Sequence, residues 1–315
     1  MNAVYPLVSI GMPVYNGEKY LAAALDSILS QTYPHLEVII FDNASTDATQ
    51  SICERYAAND SRIRYYRNAS NLGAARNYNL TVEHASGKYF KWAAYDDVCK
   101  PGFIERCVEV LERDPDVAVA YPKTIIIDEH SKVINDAFED RFDFRMHEPH
   151  HRYKAFTMAP LDCHPVFGVI RLSVLRQTPC IGPYESSDRV LLGELALHGK
   201  IVEIPERLFL RRFHTNISTY SCATKDAIAK WFDPAASGRF SRLRRFVEYV
   251  RSLNRAPLSP YQRMYCLFYL IRFYVKLYLE PARWHRVLRG CVPTLGSLPA
   301  LGPRFTLDVP RKGVR

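Results

Sequence analysis

The chain has 315 residues, 48% hydrophobic and 24% charged, with a net charge of +9. That balance is ordinary for a globular protein large enough for one or two cores. No stretch reaches the roughly 18 uncharged apolar residues needed to cross a bilayer. The N-terminus "MNAVYPLVSIG" lacks a basic region, an apolar run and a small-residue cleavage site in sequence, so no signal peptide is expected. Eight cysteines are scattered without CxxC spacing, which argues against a structural zinc site and a dense disulfide framework. A cytoplasmic location is the expectation. Charge is unevenly spread: from Ser221 to Arg315 there are 18 Lys/Arg and 5 Asp/Glu, so the first 220 residues are mildly acidic.

In chain order, "LVSIGMPVY" reads as a buried strand and "NGEKYLAAALDSILSQ" as an amphipathic helix, with Leu21, Ala24, Leu25 and Ile28 on one face. "LEVIIFDNAS" is a second strand ending in Asp42 and Asn43; a helix follows, with Ser45 or Thr46 as the expected N-cap. "IRYYRNAS" is a third strand, "NLGAARNYNLTVEHASG" a loop and helix, and "KYFKWAAYDD" a fourth strand. "PGFIERCVEVLERDP" is a helix opened by Pro101, and "VAVAYPKTIIID" is further strand. Strands alternating with helices of this length predict βαβ units and a mainly parallel α/β sheet flanked by helices.

Ligands of such sheets gather at the carboxyl ends of the strands. Tyr15 and Asn16 follow strand one, Asp42 and Asn43 close strand two, and Asp96 and Asp97 close strand four. There is no G-x-G-x-x-G after strand one and no P-loop, which excludes the usual dinucleotide and phosphate cradles. Residues 140–165 carry His147, His150, His151 and His164 without clear periodicity; a long substrate-contacting loop is expected there. In "GPYESSDRVLLGELALHGK", Ser186 or Ser187 is the expected cap of a helix with Asp188 in its first turn. "KIVEIPERLFLRRFH" reads as two strands separated at the proline, the second ending in Arg211, Arg212 and His214.

"VSIGMPVYNGEKYLAAALDSILSQTYPHLEVIIFDNASTDAT", then "NLGAARNYN" and "ASGKYFKWAAYDD", resemble the family 2 inverting glycosyltransferases, which have the GT-A fold. The resemblance covers about residues 7–220 and is specific over 7–101. It implies a Rossmann-like GT-A domain at 1–220, with a donor-binding half to about 101 and an acceptor-binding half at about 102–220. A basic C-terminal helical extension at 221–315 follows.

The resemblance further implies a nucleoside-diphosphate sugar as donor, held by Pro13, Val14, Tyr15, Asn16, Asp42, Asn43, Ser45, Arg76, Tyr95, Asp96 and Arg212. It implies a divalent metal, Mn²⁺ or Mg²⁺, at Asp96, Asp97 and His214. Such a cation would stabilise the leaving diphosphate. Asp188 matches the family's general base, with Glu185 as the fallback. The departure is Ala94, where the family pattern places a ribose-side aspartate. The expected acceptor is a glycan or lipid-linked hydroxyl. The rivals are a nucleotidyltransferase on a related sheet, for which a Gly-rich opening is missing, and a catalytically inactive nucleotide-sugar-binding partner.

In the tail, "GRFSRLRRFVEYVRSLNR" is a basic helix and "YQRMYCLFYLIRFYVKLYLE" an aromatic one. Their expected roles are packing on the core, peripheral contact with the cytoplasmic face of a membrane, and homodimerisation. No nucleic-acid-binding module is present.

Overall fold

The computed structural model describes residues 5–159, 164–214, 224–236 and 241–279. The elements in chain order are β1 (Val8–Val14), α1 (Leu21–Leu29), β2 (Leu36–Asp42), α2 (Thr49–Asn59), β3 (Ile63–Arg67), α3 (Ala74–Glu83), β4 (Tyr89–Trp92), β5 (Val98–Cys99), α4 (Phe103–Arg113), β6 (Val117–Ile127) and β7 (Val133–Asn135). They continue with α5 (Pro149–Met158), β8 (Val169–Arg171), the short α6 (Leu172–Leu175), α7 (Ser187–His198), β9 (Lys200–Arg212), α8 (Lys225–Phe232), α9 (Ser241–Arg255) and α10 (Pro260–Leu279).

Among the described residues the strands form one sheet in the order β3-β2-β1-β4-β8-β6-β9-β5, with β7 on β6. The first half is parallel: β1 pairs with β2 and β4, and β2 with β3. The expectation of a mainly parallel sheet is corrected beyond β4. There β8 lies antiparallel between β4 and β6, while β6 and β9 pair in parallel. The reason is chain direction: β8 enters the sheet directly from the 3₁₀ turn at His164–Phe167 and not from a crossover helix that would enforce parallel pairing.

Alternation along the strands sorts the two faces. Val8, Ile10, Met12, Val38 and Ile40 pack with Leu21, Leu25, Phe103 and Leu111 from α1 and α4. Ile39, Phe41, Phe90 and Trp92 pack on the other face with α3, α5 and α7. Helices thus cover both faces, as a sheet apolar on both sides requires. Gly11 permits this on β1: a Cβ there would lie 2.4 Å from Thr81 Oγ1 of α3.

Two local expectations change. The strand expected to break at Pro205 runs through as β9; its pairing with β6 shifts register beside Pro122, so both prolines sit at one irregularity where a missing N–H costs little. Within the expected loop, Pro149 opens a helix whose His150, Tyr153 and Phe156 are buried. The described part of the extension packs on the body: Tyr249, Leu253, Cys266, Leu270 and Phe273 of α9 and α10 join the α7 cluster, and Arg255 of α9 forms a bidentate pair with buried Glu194 of α7 at 2.8 and 2.7 Å.

Candidate active site at the strand tips

The tips of β1 and β2 are sewn together. Asn43 N–H donates to the carbonyl of Val14, the residue after Pro13, at 2.9 Å. Asn16 N–H donates to Ser45 Oγ and Thr46 N–H to Asn16 Oδ1, both at 2.9 Å. Gly17 N–H donates to Thr49 Oγ1 at 2.8 Å, and Glu18 and Asp47 exchange bonds with each other's loops. Ser45 is therefore no N-cap of α2, which begins at Thr49 after Ala48; its hydroxyl instead fixes the first loop. Tyr15 projects from this seam, 43% exposed. Gly17 leaves room for a neighbour, since a Cβ there would meet Tyr95 Cδ2 at 2.9 Å.

Asp42 is fully buried, and its carboxylate is occupied. Oδ1 accepts from Ser45 N–H at 2.8 Å; Oδ2 accepts from Tyr65 OH at 3.0 Å and from Arg67. Asn43 is likewise taken: it donates to Asn71 at 2.8 Å and accepts from Asn68 and from Leu72 N–H. Asn77 closes this network on Asn68 and on the Phe41 carbonyl. Asp42, expected among the donor-holding residues, thus spends its own oxygens on fixing the β2 tip. Arg76 lies on the exposed side of α3 in an ion pair with Glu83.

At the tip of β4 the two aspartates diverge. Asp96 Oδ2 lies 2.9 Å from His214 Nε2. Asp97 Oδ2 accepts from Arg211 at 2.7 Å and its Oδ1 from Arg212 N–H at 2.9 Å. As a metal ligand, then, Asp97 is already engaged on both oxygens, and Asp96 with His214 is the available pair. Burial would raise the Asp96 carboxyl, but the His214 bond and the Arg211 charge outweigh it and hold Asp96 below its ordinary value. For Asp97 burial wins and pushes the carboxyl up despite Arg211.

Arg212, expected among the donor-holding residues, is 2% exposed. Its guanidinium bonds the carbonyls of Asp96 (2.8 Å) and Asp128 (3.1 Å) and Ser131 Oγ (2.9 Å), and stacks 4.7 Å above the Tyr20 ring. These bonds tie the end of β9 to the β4 tip and to the segment after β6. Tyr20 in turn packs on His214, with ring centroids 4.8 Å apart. Sequence reasoning missed Arg211, Tyr20, Tyr65 and Arg67. Strand alternation in "RRFH" was the available signal for Arg211, since it puts Arg212 and His214 on one side and Arg211 on the other.

Asp188 lies in the first turn of α7 and accepts from Arg189 N–H at 2.8 Å. Ser186, expected as a cap, makes no side-chain capping bond; it is left-handed at φ 62° and accepts from Arg245 of α9 at 3.1 Å. Glu185 is half-buried beside it; burial alone would lower the Arg245 pKa, but Tyr274, Tyr249 and, least of these, Glu185 outweigh it and hold it above its ordinary value. Ala94 is nearly buried.

The Asp96–His214 pair offers one oxygen and one nitrogen ligand, a set acceptable to Mn²⁺ when phosphate oxygens and water fill the remaining positions. Among the described residues no group of three or more His, Cys, Asp and Glu forms a metal site.

Residues 9–178 match the Glycosyl transferase family 2 domain. An uncharacterized glycosyltransferase of Haemophilus influenzae is 30% identical over 216 residues, 67% of each chain. The glycosyltransferase GlyG of Streptococcus pneumoniae is 36% identical over 114 residues, 36% of this chain and 38% of that one. An uncharacterized glycosyltransferase of Rickettsia typhi matches over 40% of its own length, so several curated relatives are spanned for less than half. The chain belongs to glycosyl transferase family 2.

Its fold is GT-A. TarS residues 1–349 of S. aureus, crystallised with UDP-GlcNAc, superposes with a TM-score of 0.65 at 15% identity, over 89% of this chain and 75% of that one. The mannosyltransferase PcManGT of Pyrobaculum calidifontis, in complex with GDP-Man and Mn²⁺, gives a TM-score of 0.54 at 16% identity, over 92% and 85%.

Proposed function

We propose that the protein is a metal-dependent inverting glycosyltransferase. It moves a hexosyl or deoxyhexosyl group from a nucleoside-diphosphate sugar to a hydroxyl of a glycan or lipid-linked acceptor, in cell-surface polysaccharide or glycolipid synthesis. The observation that carries this reading is the Asp96–His214 pair at the tip of β4, 2.9 Å apart, beside the sewn loops of β1 and β2. That TarS and PcManGT were solved in complex with nucleotide sugars on the same fold supports a nucleotide sugar as the donor.

Asp96 and His214 would hold the divalent cation. When bound, it stabilises the charge that develops on the departing diphosphate. The Val14–Asn16 loop and the Asp42–Asn43 tip bind and orient the nucleotide, with Tyr15 available to pack on the base. Asp188 takes the proton of the acceptor hydroxyl as that oxygen attacks the anomeric carbon. The bond from that carbon to the diphosphate oxygen breaks in the same displacement, so the configuration inverts. The N-terminus of α7 favours charged Asp188, which keeps it ready to accept a proton but lowers its basicity.

One observation favours a second reading. With Ala94 in place of the ribose-side carboxylate, the chain would be a nucleotide-sugar-binding partner without turnover. A panel of nucleotide sugars with Mn²⁺ separates the two. Release of nucleoside diphosphate, lost in Asp96→Ala, supports the enzyme; binding by thermal shift without release from any donor supports the partner. Product NMR showing the donor's own anomeric configuration would sink the inverting mechanism.

A further inference from the structure

Helix α10 is apolar on two opposite faces. One face, with Cys266, Leu270, Phe273 and Tyr274, is buried against the body of the protein. The other carries Met264, Phe268, Ile271 and Val275, which are 67%, 58%, 47% and 47% exposed. Their spacing of four, three and four residues makes a continuous stripe along the helix. Tyr261, 61% exposed, extends it by a turn. From Tyr261 to Val275 the stripe is about 21 Å long. A helix apolar all round is ordinarily covered all round, and among the described residues nothing covers this side.

The charges around the stripe have one sign. Between Pro260 and Leu279 the helix carries Arg263, Arg272 and Lys276 and no acidic residue. Arg272 is exposed next to Ile271, and Lys276 follows Val275. Lys154 of α5 adds a third outward cation: its Nζ sits 4.9 Å from the Tyr269 ring, which lies edge-on to Phe268 at 5.3 Å. Glu148 meets the helix at its first turn, where it accepts from Gln262. The following sequence, residues 280–315, adds seven Lys/Arg against two Asp/Glu. A second copy laid on this stripe would bring cations against cations. No helix among the described residues is long and apolar enough to cross a membrane, and α10 with its cations is the type that lies in the interface plane, with its apolar side chains in the acyl boundary and its Arg and Lys reaching headgroups.

We propose that the outer face of α10, centred on Phe268 and Ile271 and flanked by Lys154, Arg272 and Lys276, docks the protein on an anionic phospholipid surface. This stands apart from the reading of the reaction: it uses no residue of the strand tips and survives the failure of either functional reading. Because α10 packs on α5 and α9, and both of these pack on α7, the docked helix would hold the Asp188 side of the molecule near the bilayer.

Flotation of the full chain with vesicles tests it. Binding is expected to vesicles containing phosphatidylglycerol at low salt, and not to phosphatidylcholine alone. Phe268→Ser with Ile271→Ser should lower partition by more than about ten-fold, because the buried apolar area is lost. Arg272→Glu with Lys276→Glu should lower it by at least about five-fold per residue, and added salt should mimic that loss. All four side chains are partly or fully exposed, so unchanged melting is expected; should the apolar pair fail to fold, the charge pair decides. No flotation at low salt overturns the proposal, as does flotation that both pairs leave intact. A dimer in analytical ultracentrifugation that the apolar pair converts to monomer would assign the stripe to a second copy and also overturn it.

Discussion

The two sides of the strand-tip edge are built differently. On the β1–β2–β4 side, the polar groups are satisfied by one another, loop to loop: Asn16 with Ser45 and Thr46, Asp42 with Ser45, Tyr65 and Arg67, Asn43 with Asn68 and Asn71. On the α7 side, the Glu185–Asp188 turn is strained at Ser186 and is held from outside by Arg245, on a helix about sixty residues later. The first side is a pre-formed frame. The second depends on the C-terminal helices for its shape. Local bonding cannot slip without breaking several partners at once, whereas a turn braced by a side chain of a distant helix can be loosened by a change far away in the sequence.

Breaking the α7 side at its chemistry should have the largest effect. Asp188→Asn should lower turnover by about 10²–10⁴ while leaving donor binding within a few-fold, since a general base contributes about that factor; transfer kinetics together with donor titration check it, and full activity would remove Asp188 from the mechanism. Breaking its scaffold comes next. Arg255→Met leaves the buried Glu194 carboxylate unpaired, and should cost about 3–5 kcal/mol in denaturant unfolding, as lost buried ion-pair partners do. A cost near zero would mean that α9 is not part of the same cooperative unit.

On the framed side, single changes should be milder. Tyr65→Phe removes one of the donors to Asp42 and should cost about 1.5–3 kcal/mol, with the nucleotide affinity falling only modestly; a collapse of affinity with unchanged stability would mean that Tyr65 touches ligand. The smallest effect is a pH dependence. Glu37 is held below its ordinary value: burial opposes this, but bonds from Ser9 and Ser86 and the charge of Arg64 outweigh it. The stability it contributes is therefore complete above its unfolded pKa, about 4.3, and is lost as pH falls through the lower folded value. Glu37→Gln should flatten the acid limb of the melting curve, and an unchanged limb would remove Glu37 from the acid response.

The sequence by itself determined the alternation of strands and helices through residue 113 apart from the two-residue β5, because the elements there are local runs with their own periodicity: β1 with α1, β2 with α2, and β4, which ends at Trp92, four residues before Asp96 instead of running on to Asp97. It also determined the family, through motifs carried on those same short segments. It failed where partners are distant. Nothing local says that β8 inserts antiparallel between β4 and β6, or that Pro149 opens a helix in a His-rich stretch with no apolar period. Only the tertiary structure decided which carboxylates are available. Asp96 and Asp97 are neighbours in sequence and point to different partners, one to His214 and the other to Arg211, and Asp42 is closed by Arg67 from the next strand. A side chain's type is written locally, but whether its charge is already spent depends on residues brought close by the sheet, more than a hundred positions away for the β4 pair.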